Sequence, residues 1–306
     1  MKEIITILGP TATGKTQIAA LLAKKIGAEI VSADSRQVYR QMDIGTGKDL
    51  SDYQVEGFPI PFHLIDVVEP GVEYNVFQYQ QAASKAIKEI QNRGLPVILC
   101  GGSGMYLDAL LKGYKLFPVP TNLELRAHFQ TQSFEDLSKL LATYRPLHNN
   151  TDIEIPDRLY RALEIEHFYQ NHPELQEIST PIPSIIFGLN GDRDLIRNKI
   201  TLRLKERLKN GMIEEIETLI QNGVNPEQLI RYGLEYKFVT QYLLGELNFD
   251  TMFEKLNIAI HQFSKRQMTW FRKMERDGFV IHWIDISLSE TEKLEYIQQQ
   301  LLRKKV

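Results

Sequence analysis

The chain has 306 residues, 43% hydrophobic and 25% charged, so it can bury one large core or about two smaller ones, and a disordered chain is not expected. A formal net charge of -3 excludes a protein that coats nucleic acid uniformly, yet residues 193–276 hold 15 lysines and arginines against 11 aspartates and glutamates, a local surplus on which a polyanion can dock. There is no run of about 18 apolar residues, no signal-like start and a single cysteine, Cys100; a soluble, cytoplasmic protein held by packing rather than by membrane, disulfide or zinc is expected.

Ile4–Leu8 is a β-branched run that leads straight into Gly9-Pro10-Thr11-Ala12-Thr13-Gly14-Lys15-Thr16, and residues 16–25 continue at helical spacing. That is strand, loop, helix. Glu29–Ser32 predicts a second strand, which ends on Ser32-Ala33-Asp34-Ser35-Arg36-Gln37. Residues 62–66 predict a third, Val76–Asn92 a helix, and residues 97–100 a strand followed by Gly101-Gly102-Ser103-Gly104. After Tyr114 the character changes. Pro118 and Pro120 break the chain, residues 123–144 read as one helix, and a helical insertion over 121–170 is expected between core segments 1–120 and 171–306. Strands over 185–189 and 280–283 and helices over 195–222 and 253–276 complete the pattern. Alternating strands and helices predict an α/β fold, a P-loop NTPase-like, doubly wound parallel sheet with a helical insertion.

Gly9-x-x-x-x-Gly14-Lys15-Thr16 has the Walker A spacing in the strand-to-helix context that gives it meaning. Its glycines let backbone N–H groups converge on phosphate oxygens, the helix N-terminus adds positive potential, Lys15 adds a charge, and the Thr16 hydroxyl suits Mg²⁺. The competing reading is a chance glycine turn. Because such loops commonly hold ATP or GTP, a small-molecule kinase or NTPase stays open, and residues 62–66 can pass as a Walker B strand ending in Asp66. Asp34, at the carboxyl end of a predicted strand, is either a general base facing the ligand crevice or a cap for the next element. Gly101-Gly102-Ser103-Gly104 is either a second nest of donors or a plain turn. Lys265, Arg266, Arg272, Lys273 and Arg276 form a helical stripe that fits RNA phosphates or a solvated face, while Trp270 and Phe271 fit a core better than a stacking platform.

Taken in order, the phosphate loop, Ser32 to Tyr39, Met42-Asp43-Ile44-Gly45-Thr46-Gly47-Lys48, His63-Leu64-Ile65-Asp66, Gly101 to Tyr106, Arg158-Leu159-Tyr160-Arg161-Ala162-Leu163-Glu164 and Lys265-Arg266-Gln267-Met268-Thr269-Trp270-Phe271 resemble the tRNA dimethylallyltransferases over most of the chain. The resemblance implies transfer of a dimethylallyl group from its diphosphate to N6 of the adenosine 3′ of the anticodon. It implies that Gly9, Thr11, Ala12, Thr13, Gly14, Lys15 and Thr16 hold the diphosphate, with Mg²⁺ on Thr16. Asp34 would take the N6 proton, and Ser103, where the family usually has threonine, would bond the bridging oxygen. Arg203, or Arg207 in its place, would bind diphosphate. The tRNA would be met by Asp34, Ser35, Arg36, Gln37, Asp157, Arg158, Arg161, Arg231, Lys237, Lys265, Arg266, Arg272 and Lys273. Two segments depart from the family pattern, Glu154-Ile155-Pro156-Asp157 and Gly233-Leu234-Glu235-Tyr236-Lys237, and both bear on RNA specificity. A monomer is expected. An adenylate isopentenyltransferase acting on free AMP shares the N-terminal motifs, and the basic C-terminal part is what distinguishes the two.

Overall fold

The computed structural model describes residues 1–114, 116–145, 147, 151–172 and 181–303. Its chain divides into two units, Met1–Tyr114 with Pro181–Val306, and Lys115–Thr180. The limits of the second lie outside the 121–170 expected for the insertion.

The larger unit holds strands β1 Ile4–Leu8, β2 Glu29–Ser32, β3 Gln54–Val55, β4 Phe58–Pro59, β5 Phe62–His63, β6 Val97–Gly101, β7 Ser184–Asn190 and β8 Ile281–Asp285. Six of them form one sheet in the order β5-β2-β6-β1-β7-β8, every pair parallel; β3 and β4 make a separate two-residue hairpin. Successive strand residues serve opposite faces, as the two-residue period requires. Ile7, Ile30, Ile98 and Phe187 enter one hydrophobic cluster, and Leu8, Val31, Leu99 and Ile186 enter the other. Cys100 is a buried strand thiol, and burial pushes its pKa up to about 12.

Helices α1 Lys15–Ile26, α2 Val76–Asn92 and α3 Gly104–Leu111 precede the smaller unit, and α4 Leu123–Gln130, α5 Phe134–Tyr144 and α6 Pro156–Asn171 lie within it. Phe129, Leu137, Leu141, Leu159 and Leu163 make that unit's own core. The helix expected over 123–144 is two helices, because the Ser133 side chain accepts from Asp136 N–H and starts a new one. In the larger unit α7 Arg193–Lys209, α8 Met212–Gln221, α9 Pro226–Arg231, α10 Leu234–Leu243, α11 Phe249–Arg276 and α12 Glu290–Arg303 follow. The helix expected over 195–222 likewise splits into α7 and α8 at Gly211, whose φ of 100° no ordinary helical residue adopts.

The strand expected over 62–66 stops at His63, since Leu64 and Asp66 both have positive φ. Asp66 sits at the sheet edge, beyond β2 and β6 from β1, and its carboxylate is taken by the buried Lys48 ammonium. It does not serve as a Walker B acid. Among the described residues no helix is long and apolar enough to cross a membrane.

Candidate functional site

The parallel register sets the site. Leu8 pairs with Gly101 and Ser32 with Cys100, so the loops that leave β1, β6 and β2 emerge side by side at the carboxyl edge of the sheet. These carry the phosphate loop, the Gly101 to Gly104 turn and Asp34. A cavity of about 440 Å³ opens between them and α7, α10 and α11.

Close approach of the β2 and β6 ends explains Gly101: an added Cβ would collide with the Ala33 carbonyl. Gly101→Ala should therefore lower stability by about 1 to 3 kcal/mol, read as a shift in denaturant midpoint; an unchanged midpoint would show that the two loops separate freely.

In the phosphate loop, Gly14 has φ 77° and caps α1, and Ala12 has φ 63°, a conformation alanine adopts only under constraint. Thr13 is buried, its hydroxyl donating to Pro10 O at 2.8 Å. Lys15 donates to the same carbonyl at 2.7 Å. Lys15 is half-buried, and the crowding of its ammonium by protein atoms lowers its pKa to about 8, Arg203 adding to the effect and Asp34 opposing it. Thr11, Lys15 and Thr16 line the cavity; Gly9, Ala12, Thr13 and Gly14 shape the loop behind them.

Asp34 lines the cavity and also caps a turn: one carboxylate oxygen accepts from Arg36 N–H at 2.9 Å and Gln37 N–H at 3.4 Å, and the other has no hydrogen bond among the described residues. The two sequence readings of Asp34 are compatible in one side chain. The Ser103 hydroxyl accepts from Ser35 N–H at 2.9 Å and reaches the Ser35 hydroxyl at 3.2 Å, joining the β6 and β2 loops.

Arg203 and Arg207, one turn apart on α7, both face the cavity and both pack on Gly47, where an added Cβ would collide with the Arg207 guanidinium. Arg203 pairs with Asp49. Arg207 lies 3.8 Å from Glu235, and its Nη2 is buried without a hydrogen-bond partner among the described residues. Burial lowers the Arg207 pKa and raises that of Glu235, so this is a desolvated pair with donor capacity unspent. The loop that supplies Gly47 is itself held by Glu215, whose carboxylate accepts from the N–H groups of Asp43, Ile44 and Gly45 and from the Tyr236 hydroxyl.

Of the residues expected to meet RNA, Ser35, Arg36, Gln37, Arg231, Lys237 and Arg266 line the same cavity. Lys265 and Arg272 are exposed on α11. Lys273 is turned to Asp108 at 3.1 Å and Asp277 at 2.9 Å, so its charge is already met. In the smaller unit Asp157 is exposed, Arg158 pairs with Glu154 at 2.9 Å, and Arg161 is bound to Glu164 at 3.1 Å and to Val119 O at 2.8 Å. Phe271 is buried in the core, and the half-buried Trp270 packs against it.

Sequence reasoning does not single out Gln267, Glu235, Glu215 or Tyr236 for the site. A signal for Gln267 exists in α11: it interrupts the apolar stripe Met252, Leu256, Ile260, Phe271 and Met274 with a buried amide, which must find partners.

A family model described as IPP transferase matches residues 37–274. The tRNA dimethylallyltransferase 1 of Parabacteroides distasonis is 55% identical over 293 residues, 95% of each chain, and the tRNA dimethylallyltransferase 2 of Bacteroides fragilis is 52% identical over 299 residues, 98% of each. Among solved structures, the full-length tRNA isopentenylpyrophosphate transferase of Bacillus halodurans superposes with a TM-score of 0.73 at 30% identity, covering 99% of this chain and 97% of that one.

Proposed function

Given that the chain belongs to the IPP transferase family, a family of prenyl-transferring enzymes, we propose that it moves a dimethylallyl group from dimethylallyl diphosphate to N6 of the adenosine just 3′ of the anticodon in tRNA. The observation that carries this is the convergence of Asp34, Ser103, Lys15 and Arg203 on one cavity at the ends of β2, β6 and β1 and on α7.

A bond forms between N6 and the first prenyl carbon as the carbon–oxygen bond to diphosphate breaks. Asp34 accepts the N6 proton through its unengaged carboxylate oxygen. The leaving diphosphate takes up negative charge, which Lys15, Arg203, Arg207 and the loop N–H groups are preorganised to meet. Ser103 donates to the oxygen that leaves the carbon. Mg²⁺ supplies further charge neutralisation when bound. The donor set fits a diphosphate-borne ion rather than a caged one, because Thr16 offers one hydroxyl at the loop and no group of three metal-ligating side chains occurs among the described residues. The adenine must leave its stack to enter the cavity.

The test is direct. Radiolabelled dimethylallyl diphosphate and Mg²⁺ are incubated with unmodified tRNA or with AMP, and label is expected in tRNA. Label in AMP alone would assign a free-nucleotide enzyme, and phosphate release from ATP without any label would assign a kinase or NTPase.

The exposed charges on α11 give a second expectation. Changing Lys265, Arg266 and Arg272 to Gln should weaken tRNA binding and flatten its dependence on salt by a log–log slope of about 0.7 to 0.9 for each phosphate no longer neutralised. Titrations at several salt concentrations decide it: unchanged affinity and slope would place the RNA elsewhere.

A further inference from the structure

We infer that Gln267 is a positioning residue for the transfer, locking the phosphate loop to the Gly101 to Gly104 turn so that the groups on the leaving diphosphate stay aligned; this rests on the reading proposed above. Gln267 is 7% exposed, and its carboxamide spans two loops distant from it in sequence. Its oxygen accepts from Thr11 N–H at 2.9 Å, and its nitrogen donates to Gly102 O at 2.9 Å. The amide orientation is forced, because Thr11 N–H can only donate and the Gly102 carbonyl can only accept.

Sheet pairing between β1 and β6 ends at Leu8 and Gly101. Beyond that point the carboxamide takes the place of the ladder, one bond to each loop. Gly102 is followed directly by Ser103, so the same bond that fixes the turn fixes the hydroxyl. Thr11 N–H is taken by Gln267. Gln267 borders the cavity, but both hydrogen bonds of its carboxamide go to the loops, and it acts through them. Lys265 and Arg272 are exposed on the same helix, so α11 presents basic side chains outward and the clamp inward. Misalignment of reacting groups lowers the chemical step more than it lowers binding.

Gln267→Met keeps length and apolar volume but removes both bonds. Single-turnover transfer at saturating donor and tRNA should fall about tenfold, with the tRNA dissociation constant within about twofold of wild type. Gln267→Glu separates positioning from packing. An ionised carboxylate can accept from Thr11 but repels the Gly102 carbonyl, whereas a protonated carboxyl has an acceptor and an O–H donor in the places of the amide. The rate of Gln267→Glu relative to wild type should therefore rise as pH falls from about 8 to about 6, since burial favours the protonated form, while that of Gln267→Met should not. If Gln267→Met does not fold, Gly102→Ala pushes on the clamp from the other side: its Cβ would lie 2.5 Å from the Gln267 amide nitrogen, the far end of a side chain that can shift. It should show the same loss of rate.

Gln267→Met at the wild-type rate overturns the inference, as does a Gln267→Glu deficit that is equal at all pH, or a fully active Gly102→Ala. A wild-type protein that places no label in tRNA overturns the underlying reading instead, and that result is seen before any variant is made.

Discussion

Asp34→Asn is expected to lower the single-turnover rate of prenyl transfer by about 10²-fold or more, while tRNA affinity and melting temperature stay nearly unchanged. The geometry makes the substitution informative. The oxygen that accepts from Arg36 and Gln37 N–H is retained by asparagine, so the turn keeps its cap. The second oxygen is replaced by an amide that cannot take a proton from N6. A variant that melts early yet transfers at the normal rate once folded would reduce Asp34 to a cap and move the base elsewhere.

Lys15→Ala should cost about 10²-fold in kcat/KM for the diphosphate donor, the scale seen when one preorganised charge-stabilising donor is removed. In the free protein the Lys15 ammonium spends one bond on Pro10 O and carries a pKa lowered to about 8 by burial. The sign follows. Below about 8 the free enzyme holds the cation and binds diphosphate well; as pH rises through that value the cation is lost, so kcat/KM should fall on the alkaline side. The variant should lack that limb. A folded Lys15→Ala protein with unchanged turnover would take the loop out of the mechanism, and an identical alkaline limb in both proteins would assign it to another group.

Much of this architecture is legible in the sequence because it is local. Ile4–Leu8, Glu29–Ser32 and Val76–Asn92 are bounded by their own side chains and caps, and the structure has the same limits. In α2 the Asn75 and Gln78 side chains close a capping box within four residues. What escaped depends on backbone torsion or on distance. Nothing in the run from Phe62 to Asp66 marks the positive φ of Leu64 and Asp66, and the β3–β4 hairpin is too short to show a period. Gly211 is visible in the sequence, but its φ decides between a tolerated glycine and a break. At the site, the loop residues Gly9 to Thr16 are contiguous and so readable, whereas Gln267 meets Thr11 across 256 positions. Likewise Arg203 and Arg207 are equivalent on a helical wheel, and only packing on Gly47 brings both into the cavity.

The order of strands also bears on how the chain is made. β1 lies at the middle of the sheet, with β6 on one side and β7 on the other, yet the whole smaller unit is synthesised between those two neighbours. As the chain leaves the ribosome, β1, β2 and β6 can pair while one edge of β1 remains without its partner until residues 184–190 emerge. That edge, Ile4 to Leu8, is apolar and β-branched, the kind of open template that recruits foreign strands. The insertion, with a core of its own, can be complete during that interval. Vectorial synthesis thus leaves the phosphate loop on a half-built sheet, and the nascent chain is most exposed to misassociation while the smaller unit is being translated.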